Sequence, residues 1–358
     1  LPEKFGNGFT WNFGSENLSI KLKIEMQLKI NDIGIDEWNH FLEKSKFGSP
    51  FHSCNFFNSL NNSQQYKGYI FSVEEKNETK AICLVSILKE NGIKAKFSKR
   101  AIIYGGPILL ESTSADELDF LLKGICKYLK KDCIYIEFRN YFNYSDFNTI
   151  YLNNGFLYEP YVNVQLSISD LTVQQVISQF KYNRRREIKL SLEEGCEYFV
   201  SNSIDDLKGV YTILYDLYIN KVKLPLPKIN FFIELLQSNT MVLTVVKHHN
   251  KIIGGAFCPY LNNKSLYTFY YCGLREYHKK IFPTHLAILA AIEFAIEQNL
   301  ICIDFMGAGK MENDYGVRKY KMEYGGQLVE HGRYIKILNP LLYKIGKLGL
   351  KILAKLKK

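Results

Sequence analysis

The strongest constraint on this chain is that it states one plan twice. In the first half, Tyr69-Ile70-Phe71-Ser72-Val73 reads as a strand, Glu74 to Thr79 as a polar turn, and Ala81 to Leu88 as the return strand. Ala101 to Tyr104 is another strand and runs into Gly105-Gly106-Pro107. A helix from about Ser114 to Lys130 follows, with Leu118, Leu121, Leu122, Ile125 and Leu129 at helical spacing, and then the strand Ile134 to Arg139. The second half repeats this order. Val242 to Val246 is a strand, His248-His249-Asn250 a turn and Ile252 to Pro259 the return strand. Leu266 to Tyr271 is a strand ending at Cys272-Gly273, Thr284 to Gln298 a helix, and Ile301 to Phe305 the last strand. Glu137-Phe138 and Asp304-Phe305 lie 167 residues apart, and so do Gly106 and Gly273. An equal offset on either side of a helix is the mark of a duplicated unit. Antiparallel strands, a crossover helix and a further strand imply a mixed, mainly antiparallel sheet with helices packed on it, an α/β (α+β) class.

A length of 358 residues suits two such units. The linker falls near Glu159-Pro160, which predicts a first domain over 26–163 and a second over 164–335. Residues 1–25 are Gly/Asn/Phe-rich without periodicity and read as an extra segment or leader, with Met26 a natural start. The eight Cys are scattered without a C-x-x-C pair, mostly in apolar runs, which points to reduced thiols and to neither a disulfide framework nor a zinc site. No secretory signal is visible. The longest apolar stretch, His285 to Ile296, is short for a membrane span and carries Glu293.

The formal charge of +10 favours an anionic partner, but it is unevenly spread. Residues 336–358 hold seven Lys and no acid, so they supply +7 and leave +3 for the rest. Leu338 to Leu356 has the spacing of a basic amphipathic helix, with Leu338, Leu341, Leu342, Ile345, Leu348, Ile352, Leu353 and Leu356 on one side and Lys between them. Residues 338–358 are therefore a candidate for peripheral contact with an anionic membrane, or for docking on their own domain or a partner.

Two clusters carry the chemistry. Asn183-Arg184-Arg185-Arg186-Glu187-Ile188-Lys189 lies in a helix expected from Val173 to Glu194 and stopped by Gly195. Like charges at that density suit an anion, and a guanidinium fork fits phosphate; a solvated face paired to Glu187, Glu193 and Glu194 is the plainer alternative. The second cluster is the strand Asp304-Phe305-Met306-Gly307 with the glycine-flanked, basic-aromatic loop Gly316-Val317-Arg318-Lys319-Tyr320-Lys321-Met322-Glu323-Tyr324-Gly325-Gly326. Asp304 ends the strand, where a carboxylate could orient or deprotonate an attacking amine, although Asp at strand ends more often serves a turn. Tyr271 ends a strand beside the same region and is a candidate lining residue. Gly307-Ala308-Gly309-Lys310 is not a nucleotide loop, since Met311 stands where Ser or Thr is required. No Ser or Cys partners a His in a recognisable pattern, and no H-x-x-x-H spacing suggests a metal, so the sequence predicts no metal site.

Taken together, the two clusters resemble the FemABX family, acyltransferases built from tandem GNAT-like units that add amino acids to peptidoglycan precursors. The resemblance implies that each half is a GNAT-like domain. It implies that the basic helix faces the precursor's diphosphate, through Arg184 and Arg186 with Arg185 and Lys189 beside them. Tyr320-Lys321 before Tyr324-Gly325 matches the family's aromatic-Lys pair. Lys321 would stabilise charge at the reacting carbonyl, with Tyr320 and Arg318 as substrate contacts. No bound cofactor is implied: the activated donor, aminoacyl-tRNA or acyl-CoA, is a co-substrate. The acyl-CoA pyrophosphate loop of GNAT enzymes is not evident in either half, and the long helical arm of the FemA and FemB types is absent from Asp205 to Ser238. The chain thus resembles a compact branch, with the donor open.

These expectations amount to a cytoplasmic transferase, peripheral on the inner face of the plasma membrane, that joins an activated aminoacyl or acyl group to an amine of a phosphorylated or lipid-linked envelope precursor, with tRNA as a further partner. Two rivals stand beside it: an acyl-CoA-dependent N- or O-acyltransferase acting on a sugar, and a basic protein that binds tRNA or membrane without chemistry.

Overall fold

The computed structural model describes residues 26–88 and 99–356; the segment 1–25, expected as a leader or extra segment, lies outside them. The chain forms two compact units, Leu1–Pro160 with His331–Lys358, and Tyr161–Glu330.

The first unit is built on one eight-stranded sheet. Its strands are β1 (Met26–Ile30), β2 (Tyr66–Glu75), β3 (Glu78–Leu88), β4 (Arg100–Gly105), β5 (Ile108–Leu109), β6 (Tyr135–Asn140), β7 (Leu157–Glu159) and the late strand β16 (Arg333–Ile337). Their order is β1-β2-β3-β4-β6-β16-β7, with β5 on β3. Strands β4 and β6 are parallel and stay paired over six residues, from Arg100↔Tyr135 to Gly105↔Asn140. Helices α1 (Ile35–Lys44), α2 (Cys54–Asn62), α3 (Ala115–Leu129) and α4 (Asn148–Asn153) accompany the sheet. Helix α3 starts in a capping box: Ser114 Oγ accepts from the Glu117 N–H at 3.2 Å, and the Glu117 carboxylate accepts from the Ser114 N–H at 2.5 Å. Its expected apolar stripe, Leu118, Leu121, Leu122, Ile125 and Leu129, is fully buried. Gly124 lets this helix approach β1, since a Cβ there would come within 2.5 Å of Leu28.

Strand β16 departs from the expected domain boundary at 335. It leaves the second half of the sequence and fills the gap between β6 and β7. The physical reason lies in its two faces. Tyr334 is buried and stacks on Tyr151 at 3.9 Å, while Arg333 reaches Glu137 at 2.6 Å. Without β16, β6 would end the sheet as an open edge carrying an under-compensated buried acid.

The second unit has two four-stranded sheets instead of one. One runs β13 (Tyr270–Gly273), β11 (Lys251–Pro259), β10 (Met241–His248), β9 (Cys196–Ser201); the other runs β12 (Ser265–Tyr267), β14 (Cys302–Gly307), β8 (Val162–Ser167), β15 (Gln327–Glu330). The helices are α5 (Val173–Ser178), α6 (Tyr182–Glu193), α7 (Ile204–Leu217), α8 (Ile229–Gln237), α9 (Pro283–Glu297) and α10 (Gly316–Met322). Helix α9 is buried nearly all round, and Leu286, Ala287, Ile288, Leu289, Ala291 and Ile292 form the centre of this unit's core.

Three local expectations change. The strand expected from Leu266 to Tyr271 is two strands, β12 and β13, in different sheets. The helix expected from Val173 to Glu194 breaks at Gln179–Lys181, because the Lys181 N–H donates to the Glu323 carbonyl at 2.9 Å instead of continuing the helix. The loop expected over Gly316–Gly326 contains a helix, α10, in which Val317 to Met322 are ordinary helix formers. Helix α11 (Pro340–Leu356) follows β16 in the first unit. Among the described residues, no helix is long and apolar enough to cross a membrane.

Candidate functional site

The site lies in the second unit, where its sheet forks. Strands β12 and β14 run parallel for three pairs, Ser265↔Cys302, Leu266↔Ile303 and Tyr267↔Asp304. The Thr268 N–H still donates to the Asp304 carbonyl at 3.0 Å. Beyond it the chain crosses to β13, which pairs with β11 from Phe257↔Tyr270 to Gly254↔Gly273. The Thr268 hydroxyl at this fork is buried without a hydrogen-bond partner.

Asp304 stands at the fork with 1% of its surface exposed. Its carboxylate accepts from Gln165 Nε2 at 3.0 Å, from Asn163 Nδ2 at 3.2 Å and from the Met306 N–H at 2.5 Å. Burial pushes its pKa up, opposed by these donors and by the charge of Lys321. The donors exist because Asn163 and Gln165 alternate with Val162, Val164 and Leu166 on β8, putting two amides on one face. A one-residue bulge separates the pairs Asp304↔Gln165 and Gly307↔Asn163. Met306 sits in the bulge with φ of 61°.

The Gly307 carbonyl accepts from Lys321 Nζ at 2.8 Å. Lys321 projects from α10 and is 6% exposed. Burial lowers its pKa to about 8, with Asp304 pulling the other way. An ammonium and a carboxylate are thus buried at the fork, each held mainly by neutral groups.

The other side of α10 carries an aromatic and cationic cluster. Tyr320 stacks on Tyr271 with ring centres 6.0 Å apart, and its hydroxyl lies 3.0 Å from that of Tyr324. The guanidinium of Arg184 lies 4.5 Å from the Tyr320 ring centre and 4.6 Å from that of Tyr324. It pairs with Glu323 at 2.6 Å and with Glu187 at 3.6 Å, and touches His285. Burial and Arg184 push His285 down to about 3, so the ring is neutral, and its Nε2 lies 3.0 Å from Glu187. Gly325, with φ of +84°, lets α10 end against the break between α5 and α6, where a Cβ would come within 2.8 Å of the Gln179 carbonyl.

The sequence-predicted residues therefore separate by environment. Asp304 and Lys321 come together at the fork, and Tyr271 and Tyr320 stack beside them. Arg184 is 1% exposed and engaged inside the unit. Arg185 donates to the Ser178 and Phe180 carbonyls at 2.8 and 3.0 Å and so caps α5. Arg186 and Lys189 are exposed on α6, Lys189 lying 3.7 Å from Glu193. Arg318 donates to the Lys310 and Met311 carbonyls at 3.1 and 3.2 Å and closes its own loop. Sequence reasoning passed over Asn163, Gln165, Glu323 and His285. The two amides had a signal, polar residues at i and i+2 in an apolar strand; His285 had only its place in an apolar helix. Among the described residues, no group of three or more His, Cys, Asp or Glu is placed to hold a metal ion.

No family model matches the sequence, and no curated protein matches it. The fold has clear counterparts among solved structures. The crystal structure of FemX superposes with a TM-score of 0.67 at 15% identity, covering 88% of this chain and 99% of that one. L-PGS from Bacillus licheniformis gives 0.55 at 13% identity, covering 87% and 96%. A tandem GNAT protein from the clavulanic acid biosynthesis pathway gives 0.52 at 9% identity, covering 86% and 95%. The chain has the FemABX-like tandem GNAT fold.

Proposed function

We propose that this protein is an acyltransferase that forms an amide between an activated aminoacyl or acyl group and an amine of a cell-envelope precursor. The observation that carries the reading is the forked sheet of the second unit, with a buried Lys321 and Asp304 at the fork. A chain that parts there leaves strand edges between which an acyl donor can lie with its carbonyl near Lys321. The acceptor nitrogen attacks that carbonyl, a C–N bond forms, and the C–O bond of an ester or C–S bond of a thioester breaks. The alkoxide or thiolate leaves with the proton that the nitrogen gives up. Lys321, as an ammonium, stabilises the negative oxygen of the tetrahedral intermediate; such a preorganised charge is worth roughly 3 to 4 kcal/mol of barrier. Asp304 holds Lys321 protonated and offers a carboxylate to orient the amine.

Exposed Arg186 and Lys189 on α6 are the groups we assign to the phosphates of the acceptor. Arg184, already engaged by Glu323 and Glu187, orders the helix that presents them. Aminoacyl-tRNA is the donor we favour, in line with the FemX likeness, and we assign the reaction to the cytoplasmic side, where charged tRNA is found.

The test is transfer followed by mass spectrometry, with UDP-MurNAc-pentapeptide as acceptor and either total aminoacyl-tRNA or acetyl-CoA as donor. An aminoacyl mass gain with tRNA, lost in Lys321→Met, supports the reading. An acyl gain with CoA alone moves the protein to the acyl-CoA class. Salt-dependent tRNA binding with no product from either donor overturns the enzymatic reading.

A further inference from the structure

We propose that α11 is a fixed membrane-docking element that lays the first unit on an anionic lipid surface. The helix is not a loose tail. Only Leu338 and Asn339 separate it from β16, and both backbone N–H groups donate to the Ile134 carbonyl, at 2.8 and 3.0 Å. Leu338 packs on the first unit's core. Asn339 Oδ1 caps the helix by accepting from the Leu342 N–H at 3.0 Å, and Tyr343 meets Tyr135 of β6 edge-on at 5.5 Å. A strand inside the sheet thus aims the helix.

Its outward face is apolar. Leu341, Ile345 and Leu348, at i, i+4 and i+7, are 69%, 43% and 60% exposed, while Leu342 is half-buried and Tyr343 packs on Tyr135. Lys344 and Lys347 flank this ridge, and residues 331–358 contain no acidic side chain. Two features together choose the occupant. Three exposed aliphatic side chains gain nothing from RNA, whose surface is charged. A second copy would bring lysines against lysines. A bilayer with anionic headgroups takes the aliphatic ridge below the headgroups and the lysines among them. The inference stands apart from the acyltransferase reading, because α11 contributes no residue to the fork.

The experiment is co-sedimentation of the full chain with phosphatidylcholine vesicles, with and without phosphatidylglycerol. Two variants are compared with the parent, Leu341→Ser/Ile345→Ser/Leu348→Ser and Lys344→Glu/Lys347→Glu. All five side chains are exposed, so both variants fold, which an unchanged melting temperature checks. The parent binds the anionic vesicles, less so as salt rises, and each variant binds at least about tenfold more weakly. In a Leu348→Trp variant, the new indole emission shifts to the blue on anionic vesicles only. Equal binding by parent and variants, or no binding by the parent, overturns the proposal. A parent dimer in sedimentation velocity that the serine variant dissociates also overturns it, since a second copy then covers the ridge. Turnover of a soluble acceptor is unaffected by either variant, so loss of docking and loss of catalysis are read separately.

Discussion

The two units share a plan but treat its central parallel strand pair in opposite ways. In the first, β4 and β6 stay hydrogen-bonded over six residues and the sheet is continuous. In the second, β12 and β14 part after three pairs and the sheet divides. The acids at the repeated position differ in the same sense. Glu137 of β6 is gripped by Arg139 at 3.1 Å and Arg333 at 2.6 Å. Burial alone would raise its pKa, yet the two guanidinium groups outweigh it and hold the carboxyl below the usual range. Asp304 of β14 has neutral amides instead, and burial wins, so its pKa is raised. A carboxylate neutralised by two arginines within a closed sheet is a structural part. One held by amides beside a lysine of lowered pKa, at a break in the sheet, is the pattern of a functional site, and the proposed function rests on it. Both acids are buried, but the sheet runs on past Glu137 and divides beside Asp304.

The comparison breaks first at Lys321. In Lys321→Met, a side chain of similar length loses its charge, and the transfer rate is expected to fall ~10²- to 10³-fold, the size of removing one preorganised donor. Melting temperature should fall as well, because the change leaves Asp304 buried without its cation and the Gly307 carbonyl without its donor, so the rate is compared per folded molecule. Retained turnover would make the fork as structural as the first unit's sheet.

Glu137→Gln tests the other half. It strands Arg139 and Arg333 partly buried without their counter-charge, and unfolding by urea should show a loss of ~3 kcal/mol. Activity per folded molecule should not change. A selective loss of turnover with stability intact would show that the first unit takes part in chemistry.

The pH profile reads the fork directly. Lys321 has a depressed pKa of about 8, so its ammonium is present below that pH and is lost as pH rises through it. Turnover should hold below the transition and then fall about tenfold per pH unit. Asp304 raises the Lys321 pKa. Asp304→Asn should therefore move the alkaline limb lower, by on the order of one pH unit. A limb that stays in place would separate the two groups. The equivalent change at Glu137 should leave the profile alone.

Much of this contrast was legible in the sequence, and the rest was hidden for identifiable reasons. The repeat placed Glu137 and Asp304 at one position, and each α-helix of the repeated plan formed within two residues of its expected bounds. The fork did not show, because Leu266 to Tyr271 is uniformly strand-forming; the departure at Thr268-Phe269 is set by which neighbour each half pairs with. Strand β16 did not show, because its alternation says it is a strand but not whose. Arg184, Arg185 and Arg186 read as one basic run. Helical rotation turns Arg184 into the core, sends Arg185 back to cap α5, and leaves Arg186 outside.

That rotation gives the smallest expected effect and the finest version of the comparison, now within one helix. Arg186→Ala removes an exposed charge and should leave the melting temperature unchanged. If α6 holds the acceptor's phosphates, KM for a UDP-linked acceptor should rise up to about tenfold with kcat nearly constant, worth ~1 kcal/mol of binding. The increase should shrink at high salt, since an exposed contact is screened. Arg184→Met should behave oppositely. It leaves Glu323 and Glu187 without their cation and removes the packing on Tyr320 and Tyr324, so stability falls before KM moves. An Arg186→Ala enzyme with unchanged KM at low salt would take phosphate recognition away from this helix and leave the fork as the whole of the second unit's chemistry.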